Sequence, residues 1–165
     1  MSLFPAHLPI LHGPEFTEPL AAWAAGKIAH VGPAGFGPCW AIGIVRHNAL
    51  AAVVVYHDWQ RAAGTAQVSV AAETPAWASR AVIRALLGAT FGGALGAPIR
   101  KVWAVMPHTS ARALRFNRGI GFKQEAILRH HFAPGIHAVI SSMLDREFAR
   151  RYERESHGQV RPVAA

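Results

Sequence analysis

The sequence predicts a mixed α/β fold (α+β). Its central sheet is mostly antiparallel, opens with a hairpin, carries one parallel strand–helix–strand crossover and is flanked by helices. Three observations carry that expectation. CWAIGIVR (Cys39–Arg46) and ALAAVVVYH (Ala49–His57) are separated only by His47–Asn48, the spacing of a two-residue hairpin. AQVSVAA (66–72), SRAVIRALLGATFGGAL (79–95) and IRKVWAVM (99–106) follow as strand, helix and strand, and a connection of that length implies parallel pairing. FKQEAILRHHF (122–132) and IHAVISSML (136–144) flank Ala133–Pro134–Gly135, a second hairpin.

The remaining elements follow in chain order. TEPLAAWAAGKI (17–28) has helical spacing: Thr17 is placed to cap it, Pro19 is tolerated in the first turn, and Leu20, Trp23, Ala24 and Ile28 share a face. Gly32 and Pro33 are expected to stop it. Ala49–His57 is apolar on both faces and belongs inside the sheet. In 66–72, Val68, Val70 and Ala72 alternate with Gln67, Ser69, Ala71 and Glu73, so the two sets face opposite ways. Val82, Ile83, Leu86, Leu87 and Phe91 recur at helical spacing until Gly92–Gly93. Thr109 or Ser110 caps a later helix with Ala113, Phe116, Asn117 and Ile120 inward. DREFARRYERE (145–155) closes the fold as an amphipathic piece.

Composition bounds the function classes. At 165 residues the chain is expected to form one domain, 1–152, with a frayed tail over 153–165. Hydrophobic residues are 52% and charged residues 16%, the balance of a folded protein and not of a disordered one. No apolar run reaches the ~18 residues that span a bilayer, and the N-terminus lacks the pattern of a signal peptide. The single Cys39 has no internal partner; with no leader pattern, a reducing cytoplasm is the expected location and a membrane partner is not expected. Cys39 sits in an apolar run and is expected to act as a small hydrophobe. The formal charge is +8, from 17 Lys and Arg against 9 Asp and Glu. That favours an anionic ligand, yet the basic residues never run beyond two, which argues against a nucleic-acid tail. Ten histidines raise the question of metal. His130 and His131, however, are adjacent on a strand and point to opposite faces, so no metal site is expected.

The order of elements, and above all SARALRFNRGIGFKQEAILR (110–129), resembles the GNAT superfamily of acyl-CoA-dependent N-acyltransferases. The late helix with Ala113 and Phe116, the ending Gly121–Phe122 and the following QEAILRH match that pattern. The likeness covers roughly 39–152. It implies a GNAT-like fold, acetyl-CoA as co-substrate, a primary amine of a small molecule or protein as acceptor, and no metal. A homodimer is compatible with it. Two alternatives stay open: a GNAT-fold module without catalysis, serving as a structural or binding protein, and, third, a basic nucleic-acid binder.

The resemblance also implies positions. The backbone near Val70, Ala71 and Ala72 would supply the oxyanion donor, and the N–H groups of Trp77, Ala78, Ser79, Arg80 and Ala81 would cradle the CoA pyrophosphate at a helix start. Trp77 would cover the mouth of the CoA site. Ser110 stands where the family usually opens its late helix with asparagine, and Asn117 where it often places a tyrosine acid. Pro75-Ala-Trp-Ala-Ser-Arg80 replaces the family's Gly-rich loop. Glu73, at the strand end on the polar face, is the expected general base. His108, between strand and helix, is the expected substrate-binding residue. Arg80 and Arg84 begin a helix that has no acid in its first turns, which points to an anion there.

Overall fold

A computed structural model describes residues 3–154 and places seven strands in one sheet. They are β1 (Ile10–Leu11), β2 (Cys39–Arg46), β3 (Ala49–Gln60), β4 (Thr65–Ala72), β5 (Lys101–Pro107), β6 (Lys123–Ala133) and β7 (Ile136–Leu144). The order across the sheet is β1-β2-β3-β4-β5-β7-β6, and only β4 and β5 run parallel. The helices are α1 (Pro14–Ala25), α2 (Arg80–Phe91), α3 (Ala111–Ile120) and the short α4 (Asp145–Phe148), which continues as a π-helical turn over Ala149–Glu153. Most of the expected frayed tail lies outside the described residues.

Both hairpins and the crossover stand where the pattern puts them. His47 and Asn48 each adopt positive φ (50° and 59°), the geometry that a two-residue hairpin turn demands. β3 lies between β2 and β4, buried from Ala51 to His57. The sheet separates two apolar clusters. Ile42, Tyr56, Ala66, Leu86, Val102 and Phe148 belong to the larger, which takes in α2 and α4. Leu20, Ala24, Ala41, Val53, Val55 and Ala71 form the smaller, under α1.

Several local expectations are corrected. α1 begins at Pro14 after Gly13, and the Thr17 hydroxyl donates to Gly13 O within the first turn (3.3 Å) instead of capping the helix. It ends at Gly26, not at Gly32–Pro33, because Gly26 N–H closes onto Ala22 O and the chain then turns away. Ser110 is the N-cap residue of α3, but no side chain caps that helix. Ser79 does cap α2, its hydroxyl accepting from Val82 N–H (3.3 Å). The α3 helix stops on Gly121 in a left-handed conformation (φ 107°), where Phe122 N–H reaches Asn117 O (2.9 Å). This is a glycine C-cap, and it delivers the chain into β6. The His130–His131 pair does not simply alternate. His130 has φ 55° at a break in the β6–β7 register, and that turn brings its ring beside His137.

Candidate active site

The β4–β5 ladder pairs Thr65 with Lys101, Ala66 with Val102 and Gln67 with Trp103, and there it ends. Beyond it the two parallel strands part. β3 still holds β4 as far as Ala72, and β7 still holds β5 as far as Pro107, so each side of the gap is a paired strand. The gap is a cavity of about 390 Å³, in the range of small-ligand sites. Val70 is 37% exposed although it sits mid-strand, because its β5 neighbour has moved away.

Backbone direction in the gap follows from the antiparallel rule. Glu73 N–H bonds to Ala51 O (2.9 Å), and Ala52 is paired with Ala72. Odd-numbered residues of β4 therefore bond to β3 and even-numbered ones face β5: Val68 N–H still belongs to the last parallel pair, while Val70 and Ala72 turn their N–H and C=O groups into the gap. Of the expected oxyanion donors, Val70 and Ala72 are thus turned into the gap. Ala71 is not: its backbone belongs to the β3 ladder and its side chain is buried under α1.

The gap has two unlike sides. On one, Trp77 from the Pro75–Trp77 turn packs against Phe116 of α3 (ring centroids 5.5 Å apart), with Ala113 and Asn117 beside them. Trp77 is buried, so it forms part of the wall. On the other, Lys27, Ile28 and His30 from the segment after α1 line the cavity together with Ser69. Both the α1 face and the α2–α3 face of the sheet are open to the gap.

The expected site residues separate into those the cleft gathers and those it does not. Ser110 and Asn117 line it. The Asn117 amide contacts the Met106 sulfur (3.1 Å) and has no proton to yield as an acid at neutral pH. Ala78 N–H is taken by Pro75 O (3.4 Å), which removes it from the expected phosphate cradle. Ser79, Arg80 and Ala81 form the start of α2 next to the Trp77 wall. Arg80 turns back over the C-terminal segment: its guanidinium donates to Arg151 O (2.7 Å) and lies over the Tyr152 ring (4.8 Å). Arg84 lies one turn further along α2. Glu73 stands outside the cleft wall, on the α1 face, and its carboxylate is ion-paired with Lys27. His108 also stands apart. His137 N–H donates to His108 Nδ1 (3.0 Å), His130 N–H to His137 Nδ1 (2.9 Å) and Gly135 N–H to His130 Nδ1 (2.8 Å). Each ring thereby commits its unprotonated nitrogen to the β6–β7 hairpin, and His108 serves that hairpin.

One constellation escaped the sequence reading. His57 on β3 is buried, with Nε2 2.9 Å from Ser69 Oγ and Nδ1 3.2 Å from Asp58 Oδ2. Asp58 can reach its chain neighbour because it adopts φ 46° where the β3–β4 register breaks. On a regular strand the two side chains would point to opposite faces. Burial pushes the His57 imidazole below its ordinary range, and the Asp58 charge and hydrogen bond partly offset this. The signal in the sequence was a lone histidine closing an otherwise apolar buried strand.

No protein-family model matches the sequence, and the search of curated proteins finds no match. Solved structures do match. A ribosomal-protein-S5-alanine acetyltransferase from Vibrio fischeri aligns over 67% of this chain and 63% of its own, at 11% identity and a TM-score of 0.54. A spermidine N-acetyltransferase from Vibrio cholerae aligns over 70% of this chain and 69% of its own, at 14% identity and a TM-score of 0.55. An acetyltransferase from Salmonella typhimurium that modifies the N-terminal serine of ribosomal protein L7/L12 aligns over 66% of this chain and 64% of its own, at 12% identity and a TM-score of 0.53. The chain thus spans less than two thirds of the first and third of these proteins. The mixed seven-stranded sheet with its single parallel pair is the fold of the GNAT N-acetyltransferases.

Proposed function

We propose that this chain is an acyl-CoA-dependent N-acyltransferase that moves an acetyl group from acetyl-CoA to a primary amine by direct attack. The observation that carries the reading is the parting of β4 from β5 after Gln67 and Trp103. A slot between two otherwise well-paired strands admits a narrow, extended thioester arm and offers its carbonyl oxygen backbone donors. Val70 N–H is one such donor, and its hydrogen bond strengthens as negative charge develops on that oxygen. The Trp77–Phe116 wall packs the apolar part of the arm. The phosphates lie toward the start of α2, where the helix dipole is positive and the chain's net charge of +8 assists.

The amine enters from the α1 face. There Glu73 offers its carboxylate to the incoming ammonium in exchange for Lys27, so that Glu73 attracts and orients the acceptor. The named structural neighbours include a polyamine acetyltransferase and enzymes acting on ribosomal proteins, so a small polyamine and a protein N-terminus are the two acceptor classes to try first. The test is thiol release from acetyl-CoA across such acceptors, with mass spectrometry of the acceptor. Amine-dependent release with a gain of one acetyl group supports the reading. Its absence throughout, with acetyl-CoA bound, favours a GNAT-fold binding module instead.

A further inference from the structure

The relation of Ser69, His57 and Asp58 goes beyond the positions considered so far. Ser69 lines the cleft on its α1 side, where an amine would approach. Behind it stands His57, whose side chain is 8% exposed, and behind that Asp58, whose side chain is 61% exposed. His57 and Asp58 also border a second, aromatic-walled cavity of about 620 Å³ formed with Trp40, Tyr56 and Trp59. A line of three groups, each within hydrogen-bond reach of the next, thus runs from the cleft to the outside.

We propose that Ser69, His57 and Asp58 form a proton relay that takes the proton from the attacking amine and delivers it to solvent, with Ser69 as the catalytic residue and His57 and Asp58 as positioning residues behind it. This rests on the acyl-transfer reading above. Asp58 accepts from Nδ1–H and so fixes the tautomer in which Nε2 is free to accept from the Ser69 hydroxyl. As the amine nitrogen bonds to the thioester carbon, its N–H proton passes to Ser69 Oγ while the Ser69 proton passes to His57 Nε2. The C–S bond then breaks, and its electron pair leaves on the CoA thiolate. The imidazolium beside Asp58 returns its proton to water, which restores the relay, and the thiolate takes up a proton from water. Overall, the amine loses one proton and the thiolate gains one.

The geometry supports the relay over an ordinary packed histidine in two ways. Asp58 holds a left-handed backbone, strained for a side-chain-bearing residue, and that twist is what brings its carboxylate onto His57. The hydroxyl that His57 binds sits on the cleft wall and is not sealed in the core. The titratable groups facing His57 are Asp58 beside it, His30 from the segment after α1 and Cys39 across on β2.

The experiment measures thiol release from acetyl-CoA with propylamine as probe acceptor, from pH 5.5 to 9 (roughly the span over which His titrates), in the wild-type chain, Ser69→Ala, His57→Gln and Asp58→Asn. Asparagine tolerates the left-handed backbone at 58, and melting curves verify that each variant folds. Ser69→Ala and His57→Gln are expected to lower kcat by ~10²–10⁴-fold, with KM for acetyl-CoA unchanged. Asp58→Asn is expected to move the acid limb of kcat to lower pH, because the carboxylate that favours the imidazolium is gone. A purely structural role would leave the limb in place. Folded variants with wild-type kcat and an unmoved acid limb overturn the relay, and so does ping-pong kinetics, which would make Ser69 an acylated nucleophile. If the wild-type chain releases no thiol at all, the acyl-transfer reading fails first and the relay falls with it. Relay failure alone shows as an active wild type with indifferent variants.

Discussion

Gln67 and Trp103 are the last residues to face each other across β4 and β5, and the cleft opens beyond that pair. Each strand stays paired to its outer partner, β3 or β7, beyond that point, so the cleft lies within the sheet. Backbone groups of Val70 and Ala72, which a continuous sheet would have paired, are left open to the gap instead.

The glycine that ends α3 sets where β6 begins. A Cβ at Gly121 would meet Arg151 Cδ at 2.7 Å and Met143 Cε at 3.1 Å, on a backbone at φ 107°. Gly121→Ala is therefore expected to destabilise the fold by about 1–3 kcal/mol, read as a lower urea midpoint at unchanged slope. Asn at this position, which tolerates positive φ somewhat better, should recover only part, since the clash with Arg151 remains.

Arg80 ties the start of α2 to the C-terminal segment through Arg151 O and the Tyr152 ring. Its removal is expected to cost about 1 kcal/mol, a fall of roughly 2–4 °C in Tm for a domain of this size. Calorimetry of Arg80→Ala without ligand checks this. An unchanged or higher Tm would mean that the arginine serves only an anion.

Much of this was legible in the sequence, and the rest was not, for physical reasons. The hairpins, the crossover and the Gly121 stop follow from local period and turn chemistry, which neighbouring residues encode. The parting of β4 and β5 is a non-local event, written in how far each strand pairs with its outer neighbour, and Val70 in AQVSVAA carries no mark of it. The two-residue β1 is too short to show alternation. His130 was misplaced, and Asp58 went unread, because positive φ at a non-glycine residue reverses the side-chain direction that alternation assumes. Glu73 was read onto the correct face, but the Lys27 that meets it comes from another part of the chain.

Stability should depend on pH near neutrality. His57 and His30 both titrate below their ordinary value of 6.5, burial being the first cause in each. A histidine whose folded-state pKa is depressed binds fewer protons folded than unfolded, so stability rises with pH across the window from the folded value up to about 6.5. Tm is expected to be flat from pH 8 to 7 and to fall between about pH 6.5 and 5, with a shallower fall in His57→Gln. Glu125 and Glu147, held low first by their bonds to Lys101 and Lys123, act in a separate window: their stabilisation is lost as pH falls below about 4.5. A thermal-shift series across pH separates the two windows.

Glu73 and the relay make opposite kinetic predictions. With Glu73 as the acceptor-attracting group, Glu73→Gln should raise KM for a cationic amine several-fold and leave kcat near the wild-type value, an effect that shrinks as salt screens the charge. A fall in kcat of ~10²-fold or more at unchanged KM would make Glu73 the base.

The central claim is that the gap between β4 and β5 holds the acyl-CoA, and calorimetric titration of acetyl-CoA into the wild-type chain and into Ala113→Trp tests it most directly. Ala113 lines the gap beside Phe116, so an indole there fills the cavity while the helix that carries it keeps its other contacts. The expected result is saturable binding to the wild type and a loss of at least ~10-fold in affinity, about 1.4 kcal/mol, in a variant with an unchanged melting curve. No heat of binding from millimolar acetyl-CoA with the wild type, or equal affinity in the two proteins, would contradict it.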